Sequence, residues 1–149
     1  MEAIIFIGIQ ATGKSEFYKR RFFKTHVRIN MDMFRTRHRE DILFRACIEA
    51  KQPFVVDNTN VTASERRKYI ELARSAGFKV VGYYFKSVIK DALALNEKRP
   101  GEERIPVAGV AGTYKKLELP KYEEGFDMLY YVRMTSDFEF ILEDFSDEI

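Results

Sequence analysis

Short apolar runs alternate along this chain with longer stretches of helical spacing. The runs are AIIFIGI (3–9), VRIN (27–30), FVVD (54–57), KVVGYYF (79–85) and MLYYVRM (128–134). They are rich in β-branched and aromatic residues and nearly continuous, which is typical of strands buried on both faces. Because strands that alternate with helices favour parallel pairing, the pattern predicts a three-layer α/β fold, with a parallel sheet of about five strands flanked by helices.

The clearest helix signal is the segment TASERRKYIELARSAG (62–77) between the third and fourth runs. Thr62 and Glu65 have the spacing of a capping box, and Gly77 is a typical residue just beyond a helix end. Near the C-terminus, Phe138, Phe140 and Leu142 alternate with polar residues. This alternation predicts an edge strand with one solvated face, added to the parallel sheet.

The length of 149 residues and the hydrophobic content of 46 % suit a single domain spanning residues 1–149. The apolar runs are too short for a membrane span, and no segment has the character of a signal peptide, so we expect a cytoplasmic protein without membrane contact. Cys47 is the single cysteine, and the two histidines have no cysteines nearby, so no zinc site is predicted. Nothing points to an obligate protein partner.

Charge is distributed unevenly along the chain. The acidic C-terminal tail, about 135–149, belongs to a segment from residue 121 onward with two basic and nine acidic residues, which leaves 23 basic and 14 acidic residues in the first 120. A basic body can attract a polyanion, although a solvated surface explains the same charges. The charge pattern alone leaves both explanations open.

The segment GIQATGKS (8–15) follows the first apolar run and precedes a helical stretch. This is the context of a Walker A loop, whose backbone N–H groups and helix N-terminus face phosphate oxygens. Lys14 would then reach the β- and γ-phosphates of ATP, and Ser15 would ligate Mg²⁺. The motif predicts a P-loop NTPase fold, ATP and Mg²⁺ as cofactors, and a nucleotide cradle formed by Gly8, Gln10, Ala11, Thr12, Gly13, Lys14 and Ser15.

The segment VRINMDMFR (27–35) places Asp32 and Arg35 just beyond the second predicted strand. The carboxyl ends of parallel strands meet at the ligand-binding edge of such a sheet, so Asp32 is expected near the phosphates. Its carboxylate could accept the proton of an attacking hydroxyl, and Arg35, three residues on and thus on the same helix face, could hold an anionic group. The alternative is that Asp32 only caps the following helix.

The third strand ends in VVDNTN (55–60), at the same expected edge. Asp57 has the position of a Walker B carboxylate near Mg²⁺. Asn58, Thr59 and Asn60 are either turn formers or contacts to phosphate and acceptor.

Taken together, these segments resemble the kinase module of 5′-hydroxyl polynucleotide kinases. The resemblance extends over residues 4 to about 132 and rests on GIQATGKS, INMDMFR, VDNTN with Arg66 and Arg67 downstream, NEKRPGEERIP (96–106) and EEGFD (123–127), in that order. The chain is also similar to small stand-alone bacterial AAA-type ATPases and kinases with the same motifs. Among these 149 residues we expect no phosphatase or ligase module beside the kinase-like segments.

The resemblance implies that Lys14 and Ser15 handle ATP and Mg²⁺ and that Asp32 is the general base on a 5′-hydroxyl. It further implies that Arg35 holds the 3′-phosphate of the acceptor. The segment at about 98–106 would be a lid that carries an arginine to the donor phosphates. Arg99 matches the lid arginine best by position, with Arg104 as the alternative, and a solvated basic loop is the simpler explanation of both.

The resulting hypothesis is an ATP-dependent kinase whose leading acceptor is the 5′-hydroxyl end of a nucleic acid. A kinase of a nucleoside or other small metabolite is the second hypothesis. A binding module that uses ATP as a switch without phosphoryl transfer is the third.

Overall fold

The computed structural model describes residues 1–146. Its elements, in chain order, are β1 (Glu2–Ile7), α1 (Lys14–Arg21), β2 (Val27–Ile29), α2 (Met31–Phe34), α3 (Arg37–Ala50), β3 (Phe54–Val56), α4 (Ala63–Ser75), β4 (Lys79–Phe85), α5 (Ile89–Glu97), α6 (Val107–Lys116), a short 3-10 helix (Tyr122–Glu124), β5 (Met128–Met134) and β6 (Phe140–Asp144). The last part of the predicted acidic tail, residues 147–149, lies outside the described residues.

The strands form one six-stranded sheet in the order β2-β3-β1-β4-β5-β6. The first five strands of that order pair in parallel, and β6 joins β5 in antiparallel orientation. The predicted sheet of about five parallel strands with a C-terminal edge strand is therefore confirmed. No helix in residues 1–146 is both long and apolar enough to cross a membrane.

Alternating side chains of the strands build a separate core on each face of the sheet. On one face, Ile5 and Ile29 pack with residues of α3 and α4 such as Phe44 and Tyr69. On the other face, Ile4 and Phe6 pack with α1, and the ring centroids of Phe6 and Phe17 lie 5.8 Å apart. Helices cover both faces, as the nearly continuous apolar runs predict.

The helix predicted from TASERRKYIELARSAG is α4. The Thr62 hydroxyl caps it by accepting a hydrogen bond from the Glu65 backbone N–H at 3.1 Å. Beyond its last turn, Gly77 has a φ of 85°, a left-handed conformation that favours glycine. The cap residue and the terminating glycine are therefore both located correctly by the sequence.

The edge strand β6 begins later than the alternation of phenylalanines suggests. Phe140 and Leu142 pack against the core beside α1, but Phe138 precedes the strand, is 47 % exposed and has a φ of 60°. The Phe138 carbonyl instead accepts a hydrogen bond from Arg20 of α1 at 2.8 Å. The expectation that Phe138 belongs to the strand is wrong, because the turn after β5 reverses the chain at this residue.

Candidate active site

A cavity of about 620 Å³ lies at the carboxyl-terminal edge of the parallel strands. This volume is within the range of small-molecule sites. The Walker loop, the segments after β2 and β3, and the loop between α5 and α6 all contribute to its wall. The lining includes Gln10, Ala11, Thr12, Gly13, Lys14, Ser15, Asn30, Met31, Asp32, Arg37, Asp57, Asn58, Thr59, Lys98, Arg99 and Ile105.

The Walker loop is fixed by its own backbone conformation and by neighbouring strands. The Gly8 N–H donates to the Thr59 carbonyl at 2.9 Å, which ties the loop to the segment after β3. Gly13 has a φ of 92°, and a Cβ atom there would lie 2.9 Å from the Phe140 ring. Ala11 also adopts a positive φ, 61°, and its methyl group packs in an apolar cluster with Ile9. These contacts and the positive φ angles give the loop a defined conformation beside the cavity.

Two loop side chains hold the cradle against its surroundings. The Thr12 hydroxyl donates to the Ile9 carbonyl at 2.9 Å, and the Gln10 amide nitrogen donates to the Thr113 hydroxyl of α6 at 2.9 Å. The Gln10 Oε1 atom is buried without a hydrogen-bond partner among the described residues. Gln10 therefore links the Walker loop to the α5–α6 side of the cavity.

Lys14 folds back over the loop. Its Nζ donates to the carbonyls of Gly8 and Ile9 at 2.9 and 2.6 Å. The pKa of Lys14 is lowered to about 8. Desolvation by burial is the main cause and the nearby Arg99 acts in the same direction, whereas Asp57 and Asp32 partly oppose the shift. Lys14 Nζ also donates to the Thr12 hydroxyl at 3.4 Å. A cation whose hydrogen-bond partners are all neutral oxygens can exchange them for phosphate oxygens, which bind it more strongly.

Ser15, Asp57 and Arg28 form a closed triangle of contacts beside Lys14. The Ser15 hydroxyl donates to Asp57 Oδ2 at 3.1 Å, Arg28 Nε donates to the same oxygen at 2.9 Å, and Arg28 Nη2 donates to Ser15 Oγ at 2.9 Å. Asp57 is only 2 % exposed, so this carboxylate depends on its partners for charge compensation.

The oxygen donors of this triangle suit Mg²⁺. One carboxylate and one hydroxyl match a magnesium site that takes its other ligands from phosphate and water. Within residues 1–146, no group of three or more His, Cys, Asp and Glu side chains could hold a metal without a substrate. The same two oxygens are in contact with the Arg28 guanidinium.

Asp32 lies on the cavity wall, in the first turn of α2. It does not cap that helix. The cap is Asn30, whose Oδ1 accepts from the Met33 N–H at 3.0 Å and whose Nδ2 donates to the Asp57 carbonyl at 2.6 Å. Asp32 is exposed, and its carboxylate is therefore free of the capping role that the sequence left open.

Arg35 and Asp32 do not share a helix face, contrary to the expectation from their spacing. The helix ends at Phe34, and Arg35 has a φ of 75°, outside helical conformation. Arg37, at the start of α3, lines the cavity instead, whereas Arg35 is absent from the described cavity lining. A four-residue helix and a separate, longer helix replace the single continuous helix, because Thr36 caps α3 by accepting from the Arg39 N–H at 3.1 Å.

Glu40 connects Arg37 to the segment after β3. This fully buried carboxylate accepts hydrogen bonds from Arg37 at 3.1 Å, Asn58 at 3.0 Å and Tyr69 at 2.6 Å. Burial alone would raise the pKa of Glu40, but the hydrogen bonds from Tyr69, Lys68 and Asn58 lower it. An ionised Glu40 therefore holds two cavity residues, Arg37 and Asn58, in position.

The three residues after Asp57 divide between the cavity and the core. Asn58 and Thr59 line the cavity, and the Asn58 Oδ1 also accepts from the Met31 N–H at 2.9 Å. Asn60 is 3 % exposed and donates to the Phe6 carbonyl at 2.8 Å. In this structure Asn60 is held in the core, away from the cavity.

Arg66 and the EEGFD segment are brought together behind the site. Arg66 is fully buried, and its Nε and Nη2 donate to the Glu124 carboxylate at 2.8 and 3.1 Å. Its Nη1 donates to the Asn60 carbonyl at 2.7 Å. This fork fixes the loop that carries Asn58 and Thr59, whereas Arg67 points to the exposed surface.

The two lid arginines occupy different places. Arg99 lines the cavity. Arg104 is exposed and donates to the carbonyls of Glu97 and Arg99 at 2.9 and 3.2 Å, outside the described lining. The geometry therefore places Arg99, rather than Arg104, on the wall of the cavity.

Sequence reasoning did not single out Arg28, Asn30, Arg37 or Glu40 as parts of the site. Asn30 carried a usable signal, because asparagine directly before an apolar turn is a frequent helix cap. Arg28 contacts Asp57, and Glu40 contacts Tyr69; in each pair the two residues are 29 positions apart in the sequence. Sequence spacing carries no signal of such contacts.

Comparison with known proteins supports the same fold. A family model described as an AAA domain matches residues 4–118. The bifunctional polynucleotide phosphatase/kinase of Schizosaccharomyces pombe is 24% identical over 132 residues, which cover 84% of this chain and 32% of that protein. The chain therefore spans about a third of the length of that relative.

Two solved structures share the architecture. Kti12 from Chaetomium thermophilum in complex with ADP-AlF3 has a TM-score of 0.65 at 14% identity and covers 88% of both chains. A gluconokinase from Sinorhizobium meliloti 1021 has a TM-score of 0.60 at 17% identity, over 87% of this chain and 82% of that one. The resemblance indicated by the motifs is confirmed: the chain belongs to the AAA domain family and has the fold of small P-loop kinases.

Proposed function

We propose that this protein is an ATP-dependent kinase that transfers the γ-phosphoryl group to the 5′-hydroxyl end of a polynucleotide. One observation carries the proposal: the Walker loop with Lys14 and the exposed carboxylate of Asp32 line the same cavity. A hydrolase needs only a water near the γ-phosphate, whereas a kinase needs a group that receives the proton of an acceptor hydroxyl. Asp32, free of a capping role, is suited to that task.

The donor side is assigned to the Walker loop. The backbone from Gly8 to Ser15 cradles the phosphates, and Lys14 exchanges the Gly8 and Ile9 carbonyls for phosphate oxygens. Arg99 binds the donor phosphates from the lid, with Arg104 as the more distant alternative. Ser15 and Asp57 hold Mg²⁺, which when bound neutralises charge on the phosphates.

The acceptor side is assigned to the segments after β2 and β3. Asp32 accepts the proton of the acceptor hydroxyl as the hydroxyl oxygen forms a bond to the γ-phosphorus. The bond between the γ-phosphorus and the β–γ bridging oxygen breaks at the same time, and ADP leaves. Asn58 and Thr59 contribute polar contacts, whereas the core contacts of Asn60 argue for a supporting role. The family resemblance assigns the acceptor phosphate to Arg35, and the cavity lining favours Arg37.

A polynucleotide acceptor is supported by two observations. The first 120 residues carry 23 basic and 14 acidic side chains, so this part of the chain can attract a polyanion. The similar protein from Schizosaccharomyces pombe is a polynucleotide phosphatase/kinase by name. A small-metabolite acceptor would need neither the basic body nor an open approach to the cavity.

The direct test is transfer from γ-labelled ATP to a panel of acceptors: 5′-hydroxyl DNA, 5′-hydroxyl RNA and free nucleosides. We expect labelled oligonucleotide ends, and Asp32→Asn should lower the transfer rate by about 100-fold or more while ATP binding is retained. Asp41→Asn is the matched control, because Asp41 is an exposed α3 carboxylate paired with Arg45 outside the cavity. Labelling of nucleosides alone, or unchanged transfer by the Asp32 variant, would contradict the proposal.

A further inference from the structure

The Arg28 guanidinium stands between the two oxygens that the proposed function gives to Mg²⁺. Arg28 Nε and Asp57 Oδ2 are 2.9 Å apart, and Arg28 Nη2 and Ser15 Oγ are also 2.9 Å apart. The fork of the guanidinium therefore spans the pair, whose own hydrogen bond measures 3.1 Å. A divalent cation bonded to Ser15 would lie directly beside the positively charged guanidinium that now contacts the same oxygen, so the two cations would repel each other.

Neutralisation of Asp57 explains only one half of this arrangement. Asp57 is 2 % exposed, and the Nε contact alone places a positive charge beside it. The second contact, from Nη2 to the Ser15 hydroxyl, adds nothing to that pairing. This second contact places the Arg28 guanidinium across both oxygens. The planar guanidinium has N–H groups at a fixed spacing that can reach both oxygens, whereas the ammonium of a lysine has no such fixed pair of donors.

Arg28 also has a place to remain when the Ser15 contact is broken. Its guanidinium carbon lies 5.9 Å from the centroid of the Tyr18 ring. The Tyr18 hydroxyl donates to the His26 carbonyl at 2.6 Å, so this ring of α1 is fixed against the segment that precedes β2. Arg28 can thus release Ser15 while Nε stays on Asp57 and the guanidinium stays over the ring.

We propose that Arg28 is a resident cation that competes with Mg²⁺ for Ser15 and Asp57 and thereby sets how strongly nucleotide binding depends on the metal. The inference rests on the proposed function, in which Ser15 and Asp57 are the metal-binding residues. Arg28 acts through those two side chains and is a positioning residue. In the nucleotide-free protein it keeps both oxygens in place, and the arriving metal displaces it from Ser15.

The test measures ADP affinity by calorimetry with and without Mg²⁺, using the full chain. The ratio of the two dissociation constants is the metal coupling. Arg28→Gln removes the competing charge, so the coupling should increase about fivefold or more over the parent protein. Mn²⁺ alone, followed by the magnetic resonance signal of the free ion, should also bind more tightly to this variant.

Arg21→Gln is the matched control. Arg21 also lies over an aromatic ring, 5.4 Å from the Phe17 centroid, but it is on the exposed side of α1. Its replacement should leave the coupling unchanged. Arg28→Lys retains the charge without the fork and should give an intermediate coupling, which decides the question if Arg28→Gln does not fold.

The outcomes separate the two proposals. If the parent protein shows metal coupling and both Arg28 variants show the same coupling, the competition is wrong and the proposed metal-binding residues stand. If coupling decreases in Arg28→Gln, Arg28 assists the metal and the inference is overturned. If the parent protein and Ser15→Ala are equally insensitive to Mg²⁺, the assignment of Ser15 and Asp57 fails, and the inference fails with it.

Discussion

We expect Lys14 to destabilise the folded protein at neutral pH, because of its position in the Walker loop. Its charged Nζ is half-buried over the loop, and its partners are neutral carbonyls of Gly8 and Ile9. Desolvation by burial lowers its pKa from 10.5 to about 8. A group that would bind phosphate strongly is therefore held in a place that favours its uncharged form, which is typical of functional sites.

Replacement of this lysine by methionine should stabilise the protein while it removes nucleotide binding. Below about pH 8 the Lys14 ammonium is charged in both the folded and the unfolded protein, and burial disfavours it in the folded protein. Lys14→Met should therefore raise the free energy of unfolding by about 1 kcal/mol at pH 7. Between about pH 8 and 10.5 the unfolded parent binds more protons, so its stability rises with pH and the advantage of the variant disappears.

Urea denaturation at several pH values measures this effect. Lys24→Met is the control, because Lys24 is exposed and lies outside the cavity lining. A gain in Lys14→Met that persists above about pH 10.5 would contradict the desolvation argument, since charge would then not be its cause.

The sequence could predict the location of residues that is determined by their own segment. It could not predict the location of residues that is determined by contacts with distant segments. Lys14, Ser15 and Asp57 follow strands and open a helix or turn, and the structure brings them together at the expected edge. Arg37 and Arg28 reach the site from other elements, and basic residues with that spacing are frequent on solvated surfaces. Only the packing of α3 and β2 distinguishes them from such residues.

At the scale of elements, helix caps determine where prediction succeeds. Thr62 and Gly77 bound α4 in both sequence and structure because capping is a local interaction. The expected helix through Asp32 and Arg35 fails because two caps, Asn30 and Thr36, lie only six residues apart, so that α2 ends after four residues and α3 begins as a separate helix. Each cap is a local signal, but their combination is resolved only when α3 packs on the sheet.

The central strand β4 offers a prediction about packing between elements. A Cβ atom at Gly82 would lie 2.6 Å from Leu129 and 2.7 Å from Phe126. Gly82→Ala should therefore destabilise the protein by about 1 to 3 kcal/mol, as overpacked cores do. At Gly112 in α6, an added Cβ meets nothing within 4 Å, so Gly112→Ala should stabilise it by about 0.5 to 1 kcal/mol.

Urea denaturation of the two variants checks the pair of expectations in one experiment. The slope of the unfolding free energy against urea should be unchanged in both variants, which would show that the native and denatured states keep their compactness. Equal effects of the two substitutions would contradict the close contact of β4 with β5.

At the scale of the whole molecule, the uneven charge makes acceptor binding sensitive to salt. A polynucleotide that contacts about three basic residues of the body should bind with a slope of about −2 in log affinity against log salt. Raising KCl from about 50 to 200 mM should then weaken binding of a single-stranded 5′-hydroxyl oligonucleotide by about tenfold or more. Fluorescence anisotropy of a labelled oligonucleotide measures this directly.

Binding of a free nucleoside under the same conditions is the control, and it should change by less than about twofold because no phosphate contacts are involved. Oligonucleotide affinity that is equally insensitive to salt would indicate that the basic body takes no part in acceptor binding. The charge pattern was visible in the sequence, but which of its residues surround the cavity required the folded chain.

The contact between β6 and the Walker loop has a consequence for synthesis on the ribosome. Phe140 packs against Phe17 with ring centroids 5.2 Å apart, and its ring adjoins Gly13 at the start of α1. The loop emerges from the ribosome more than a hundred residues before Phe140, whose side chain packs against it. A nascent chain that has emerged only as far as β5 already has the contact of Phe6 with Phe17, but it lacks the Phe140 ring beside Gly13 and Phe17. We therefore expect the start of α1 to reach its final packing only when β6 has joined the sheet.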